Sequence, residues 1–169
     1  MLKAHNVSPE QLVIEVVETC TFWREPAILY TLSRLRNIGV EIAIDDFPCW
    51  EESEGLIDWL RTEPVGIKTL KFDRSLVREV CDNKESAEPR EFMRYLAFAH
   101  ERDMRVIAEG VEDEHDAITM ELCGVDALQG FGIGKPKPAH LAFHSNCMNE
   151  PLRFSMETRE KRERIAPSS

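Results

Sequence analysis

VEIAIDD, residues 40–46, is a short apolar run that closes on two adjacent carboxylates, Asp45 and Asp46. The same design recurs on both sides of it. LVIEVVE carries Glu15 and Glu18, TLKFD holds Lys71 and Asp73, RVIAEGVE carries Glu109 and Glu112, and VDALQG ends at Gln129. Runs this short and apolar read as strands, and the segments between them carry helical spacing. Strands alternating with helices predict successive βα units of a parallel sheet, with ligands and catalytic groups gathered at the strands' carboxyl ends. The polar residues closing each run are therefore the candidates for a site.

Upstream of VEIAIDD, residues 26–37 are expected to be helical, with Ile28, Leu29, Leu32, Leu35 and Ile38 at helical spacing and Gly39 in the place of a left-handed cap. Before that, Ser8-Pro9-Glu10-Gln11 predicts a brief helix leading into a strand over 12–17. Strand 40–45 is followed by 47–54, which contains Pro48, Cys49, Trp50 and several glutamates and suits a loop. Leu56, Ile57, Trp59 and Leu60 then predict a short amphipathic helix before Pro64. A third strand is expected over 67–72, then a broken helix and a longer one from about Pro89. The fourth strand is expected over 104–108, a helix over 113–122 closed by Gly124, and a short fifth strand over 125–128. Lys135-Pro136-Lys137-Pro138 reads as a rigid connection into a short helix at 139–143.

No break in composition divides these units, so residues 1–146 are read as one domain and 147–169 as a polar tail or frayed helix. The fold class is α/β, a partial TIM-type (βα) barrel with about five parallel strands. A complete eight-stranded barrel takes ~250 residues. The reading therefore lacks the first strands, and a protein partner or a second copy is expected to cover the exposed strand edges.

Lys and Arg total 21 against 31 Asp and Glu, a net charge of −10, which removes the basic footprint that nucleic-acid binding needs. A phosphate ligand remains compatible with acidic residues when bound divalent cations reverse the local sign. Cys20, Cys49, Cys81, Cys123 and Cys147 are scattered without zinc or redox spacing, as reduced cytosolic thiols would be. No apolar stretch approaches the ~20 residues of a membrane span, and no signal peptide is evident at the start. The expectation is a soluble cytoplasmic protein.

Glu15, Asp45, Asp46 and Glu109 bring four carboxylates from three strand ends, and Lys71 and Gln129 come from two others. Hard oxygen ligands at one barrel mouth suit Mg²⁺ or Mn²⁺, which activates water and stabilises charge in phosphodiester hydrolysis. The lysine would offset charge developing on a phosphoryl oxygen. Plainer readings stand beside this one. Strand-end carboxylates also face solvent or cap the next helix, Lys71 has a solvated surface reading, and Gln129 would equally satisfy a turn. The five histidines stand at no metal spacing. Trp23 and Trp59 read as packing residues, and Trp50, in its loop, as an interface anchor.

IEVVE, GVEIAIDDF, LKFDRSLV, VIAEGVED and GVDALQGFGIGKPKP resemble, in order, the motifs of the EAL domain, the cyclic diguanylate (c-di-GMP) phosphodiesterase of bacterial signalling. The resemblance runs over residues 7–143. It implies that Glu15, Asp45, Asp46 and Glu109 are metal ligands, that Lys71 is the active-site lysine, and that Gln129 lies near the metal-bound water. Lys71, Glu109 and Gln129 are by this resemblance the catalytic set, with Asp73 and Glu112 supporting. The implied reaction opens c-di-GMP to linear pGpG with Mg²⁺ or Mn²⁺.

Departures from the family pattern carry their own expectations. The Glu-Ala-Leu signature and a later metal-binding Asn have no counterpart, so two ligands of the family site are missing and the isolated chain is expected to hydrolyse weakly or not at all. PCWEESEG replaces the glycine- and serine-rich loop that follows Asp-Asp-Phe in the family. The alternative is a catalytically inactive regulatory module acting through protein–protein interaction.

Overall fold

The computed structural model describes residues 5–17, 25–47, 53–62, 65–82 and 90–138. Five strands form one sheet in the order β1 (Val13–Val17), β2 (Glu41–Phe47), β3 (Thr69–Phe72), β4 (Arg105–Ala108) and β5 (Ala127–Leu128). Every neighbouring pair is parallel. Spatial order equals chain order, so the chain winds in one direction, without the reversal of strand order that marks a doubly wound sheet. This is the winding of a barrel, and it places all five carboxyl ends along one rim.

Between the strands lie α1 (Pro26–Asn37), α2 (Ser53–Thr62), α3 (Arg74–Cys81), α4 (Arg90–His100) and α5 (Glu114–Cys123). The opening Ser-Pro-Glu-Gln makes a single 3-10 turn, Pro9–Gln11, with the Ser8 amide donating to Gln11 Oε1 at 2.9 Å. Helix α1 has the bounds its apolar spacing predicts. Helix α5 opens on Asp113, whose carboxylate accepts from the Asp116 amide, and closes on Gly124 at φ +95°, a conformation glycine enters without a Cβ penalty.

The core lies between the sheet and its helices. Ile42, Ile44, Leu70, Phe72, Val106 and Ala108 are buried on the sheet, against Phe92, Tyr95, Leu96 and Ala99 of α4. Phe47 stacks on Phe72 with ring centroids 5.8 Å apart, Tyr95 meets Phe47 edge-on at 5.2 Å, and Phe92 meets Phe72 edge-on at 5.3 Å. Offset and edge-on ring pairs of this kind each add ~1 kcal/mol beyond their buried area.

Several expected boundaries move. Phe47 belongs to β2 and not to a loop, because its ring completes the aromatic core. Helix α2 begins at Ser53, inside the segment read as loop. Strands β3, β4 and β5 start one or two residues later than their apolar runs: Ile67, Met104 and Val125 lead into the strands without forming ladder pairs. The expected helix at 139–143, the 147–169 tail, Glu18, Trp23 and the loop with Trp50 lie outside the described residues.

Candidate functional site

Residues on a strand alternate between faces, so Asp45 and Asp46 should point to opposite sides of the sheet. They do not, because β2 carries a bulge. Ile44 pairs with Leu70 and Phe47 with Phe72, so three steps on β2 match two on β3. The extra residue is Asp46, at φ +54°. Aspartate enters this left-handed region more readily than most residues, and bulges recur beside active sites for the re-aiming seen here. Both aspartates stay at the rim, while Phe47 turns into the aromatic core.

Lys71 points from β3 into the concave face with only 4% of its surface exposed. Its Nζ lies 2.7 Å from Asp45 Oδ1, 2.8 Å from Glu109 Oε1 and 3.1 Å from Glu15 Oε1. Three strands thus converge on one ammonium. Burial alone would push the Lys71 pKa down, but its bonds to Asp45, Glu109 and Glu15 outweigh burial and raise it above the ordinary 10.5. One tier below, Thr69 Oγ1 donates to Glu41 Oε1 at 2.7 Å and Arg105 ion-pairs with Glu41. The concave face is therefore polar in two layers.

One lysine does not neutralise the rim. Burial raises the pKa of Asp46 first, and repulsion from Asp45 and Asp73 adds to it. Glu109 is also raised, chiefly by burial, against the opposing pull of Lys71. Asp45, Asp46 and Glu109 each offer an oxygen within 4.8 Å of the other two. An all-carboxylate set with excess negative charge fits a hard divalent cation. Glu15 is not in this trio and approaches Lys71 from the edge strand. Among the described residues, Asp113, His115 and Asp116 form a second such group. There, Asp113 already caps α5 and Asp116 already pairs with Arg78, so the group is accounted for structurally.

Beside the trio opens a cleft of about 360 Å³ lined by Asp46, Asp73, Arg74, Glu109, Glu112 and Gln129, among others. Backbone ladders running past the strand ends hold its walls: the Glu109 amide donates to Phe72 O at 3.0 Å and the Gln129 amide to Ala108 O at 2.8 Å. Asp73 caps α3 by accepting from the Ser75 amide at 2.6 Å. Glu112 is turned toward α3, where it ion-pairs with Arg74. Sequence reasoning passed over Arg74, Arg78 and Asp116. The available signal was a matched spacing of four, Arg74 to Arg78 and Glu112 to Asp116.

Asp46→Asn tests the charge account. Because the folded pKa of Asp46 lies above 3.8, its ionisation costs stability as pH rises through that folded value. Asparagine removes the charge and keeps the side-chain shape, so the metal-free chain should gain about 0.5 kcal/mol at pH 7, the scale of a solvent-screened charge. The gain should vanish below about pH 3.8, where the carboxyl is protonated in both states. Thermal melts at the two pH values measure it, and equal or lower stability of the variant at pH 7 contradicts the account.

A family model described as EAL domain matches residues 1–136. The bifunctional diguanylate cyclase/cyclic di-GMP phosphodiesterase MucR of Pseudomonas aeruginosa is 30% identical over 138 residues, covering 82% of this chain and 19% of the relative. The cyclic di-GMP phosphodiesterase PdeF of Escherichia coli is 31% identical over 138 residues, covering 82% of this chain and 18% of the relative. Among solved structures, the PaMucR phosphodiesterase in complex with c-di-GMP superposes with a TM-score of 0.68 at 31% identity, over 83% of this chain and 54% of that one. The EAL domain of Mycobacterium smegmatis DcpA gives 0.71 at 29% identity, over 83% and 60%. The chain thus spans about a fifth of these curated relatives and a little over half of these solved chains. No helix among the described residues is long and apolar enough to cross a membrane.

Proposed function

This chain belongs to the EAL domain family, and on that premise we propose that its rim is the metal-binding and lysine-bearing portion of a cyclic diguanylate phosphodiesterase site. The observation that carries the reading is the convergence of Asp45, Asp46 and Glu109 within 4.8 Å beside a buried lysine. These three residues would hold Mg²⁺ or Mn²⁺, with Glu15 reaching in from β1. A bound divalent cation supplies a water of lowered pKa and stabilises charge on the phosphoryl oxygens.

The chain's own residues divide the remaining work. Lys71 keeps its proton through the neutral range and holds the carboxylates of three strands in fixed relation. Gln129, on the cleft wall, would orient a water or a phosphate oxygen. Asp73 and Glu112 are engaged with α3 and shape the cleft, which makes them supporting groups.

Two ligands of the family pattern have no counterpart among these residues, so the 169-residue chain alone is proposed to bind the cation more strongly than it hydrolyses the ligand. The decisive experiment incubates the purified chain with c-di-GMP and Mn²⁺ or Mg²⁺, and follows pGpG by chromatography and Mn²⁺ binding by electron paramagnetic resonance. Mn²⁺ binding that Asp45→Ala weakens at least tenfold, with slow or no pGpG formation, is the expected result. Rapid turnover lost in Asp45→Ala would overturn weak hydrolysis, and absence of Mn²⁺ binding would overturn the metal site.

A regulatory, protein-binding reading draws on a different observation. Val13, Ile14 and Val17 of β1, Ile28 and Tyr30 of α1, and Ile38 just past its end are large apolar residues left exposed. Among the described residues, strand β1 has a single partner in the sheet. A surface of that composition suits a protein contact.

A further inference from the structure

Helix α3 follows β3, which carries Lys71, and α5 follows β4, which Glu109 directly succeeds. Two ion pairs in matched register join the segments after these strands. Arg74 meets Glu112, and four residues further along both segments Arg78 meets Asp116. The two pairs differ in setting. Arg74 and Glu112 are open to solvent, whereas Asp116 is 2% exposed and lies beside the buried Cys81.

A buried carboxylate at this position costs free energy unless its oxygens are engaged, and Asp116 is engaged twice. Its Oδ2 faces Arg78 and accepts the Glu112 amide at 2.8 Å. Its own amide is taken by Asp113 at 2.9 Å. The turn from Glu109 to Asp113 is thereby pinned at its far end. Its near end is held by the Glu109 amide on Phe72 O, and the stem of Arg74 crosses Gly110 so closely that a Cβ there would lie within 3.0 Å of three of its carbons.

We propose that Asp116, oriented by Arg78, is a positioning residue for the metal site: its bond to the Glu112 amide fixes the 109–113 turn and thereby the place of the Glu109 carboxylate opposite Asp45 and Lys71. The inference rests on the proposed metal site. It deepens that reading by naming a pair, the buried Asp116 and the partly exposed Arg78, away from the cleft and touching no ligand, on which the cation's affinity depends. Outer groups that orient a ligand-bearing segment typically change metal affinity 10- to 100-fold when lost.

The test compares two double variants of the full chain. R78M/D116L removes charge and acceptor together and replaces the pair with apolar side chains, a change buried ion pairs commonly tolerate without loss of stability. R78Q/D116N removes the charge but keeps an oxygen for the Glu112 amide. Mn²⁺ affinity is read by electron paramagnetic resonance, and protection of the Glu109 and Glu112 amides by hydrogen exchange without metal.

Expected in R78M/D116L are a loss of Glu112 protection and a Mn²⁺ affinity lower by about 10- to 100-fold at a melting temperature close to that of the parent. In R78Q/D116N the protection and most of the affinity should persist. Wild-type protection and affinity in R78M/D116L would overturn the proposal. So would loss of Glu112 protection in R78Q/D116N, which decides the matter even if the apolar variant does not fold. If the parent chain binds no Mn²⁺, the metal reading fails, and the exchange data alone decide whether Asp116 positions the turn.

Discussion

Lys71→Met is expected to destabilise the folded chain by about 3–5 kcal/mol at pH 7, the scale for breaking a buried ion pair from one side. The ammonium stands within 3.1 Å of Glu15, Asp45 and Glu109, and methionine has similar reach without the charge. Three carboxylates would then face one another with no cation among them. The raised Lys71 pKa fixes the sign: its contribution is complete below the ordinary 10.5 and is lost only as pH climbs through the higher folded value. Neutral pH therefore shows the full effect. On acidification the variant should recover relative to the parent, because protonating a carboxylate relieves the repulsion that Lys71 no longer offsets. Urea unfolding at pH 7 and pH 5 measures both quantities, and an unchanged midpoint at pH 7 would mean that the ammonium does not hold the site together. Added Mn²⁺ should restore part of the loss, since a divalent cation supplies the missing positive charge.

Gly130→Ala should produce the next largest effect, about 2–3 kcal/mol of destabilisation. A Cβ on Gly130 would lie 2.0 Å from Val111 O and 2.5 Å from Val111 N, both backbone atoms. Neither can rotate away as a side chain would. The segment after β5 and the turn after β4 interlock here, with the Val111 amide donating to Gln129 O at 3.1 Å and the Gly132 amide to Val111 O at 2.9 Å. Relief of the clash must therefore part the two segments and carry Gln129 away from the cleft. Gly134→Ala is the internal control, because a Cβ there meets nothing within 4 Å. Parallel denaturation curves for the two variants settle the point, and equal small losses would contradict the interlock.

The five strands, α1 and the closing glycine of α5 were legible because each rests on a local signal: apolar runs, period-3.6 spacing, or a residue suited to a left-handed cap. The gathering of Asp45, Lys71 and Glu109 followed from the winding of the chain, once the runs were read as parallel strands. What the sequence concealed was non-local. Strict alternation would have sent Asp46 away from Asp45, and only the bulge opposite Leu70 and Phe72 keeps them together. Lys71 read as a group for the substrate's charge, and its ion pairs with three of the chain's own carboxylates had no local signal. Arg78 and Asp116 resemble solvated helix residues until α3 and α5 are packed side by side. A charge pair formed across that packing leaves no mark in either segment alone.

The position of β1 at the margin of the sheet sets a hierarchy within the site. Among the described residues, Asp45 and Lys71 lie on strands bonded on both sides and Glu109 directly follows another, β4, whereas Glu15 lies on a strand with one neighbour. Local openings begin where the fewest bonds must be broken. Detachment of β1 would withdraw Glu15 from the cage around Lys71 and leave the Asp45, Asp46 and Glu109 trio assembled. Among the described residues the rim thus has a part held by two ladders and a part held by one. If the trio holds the proposed cation, a contact along β1 would alter the charge balance beside it through that single carboxylate.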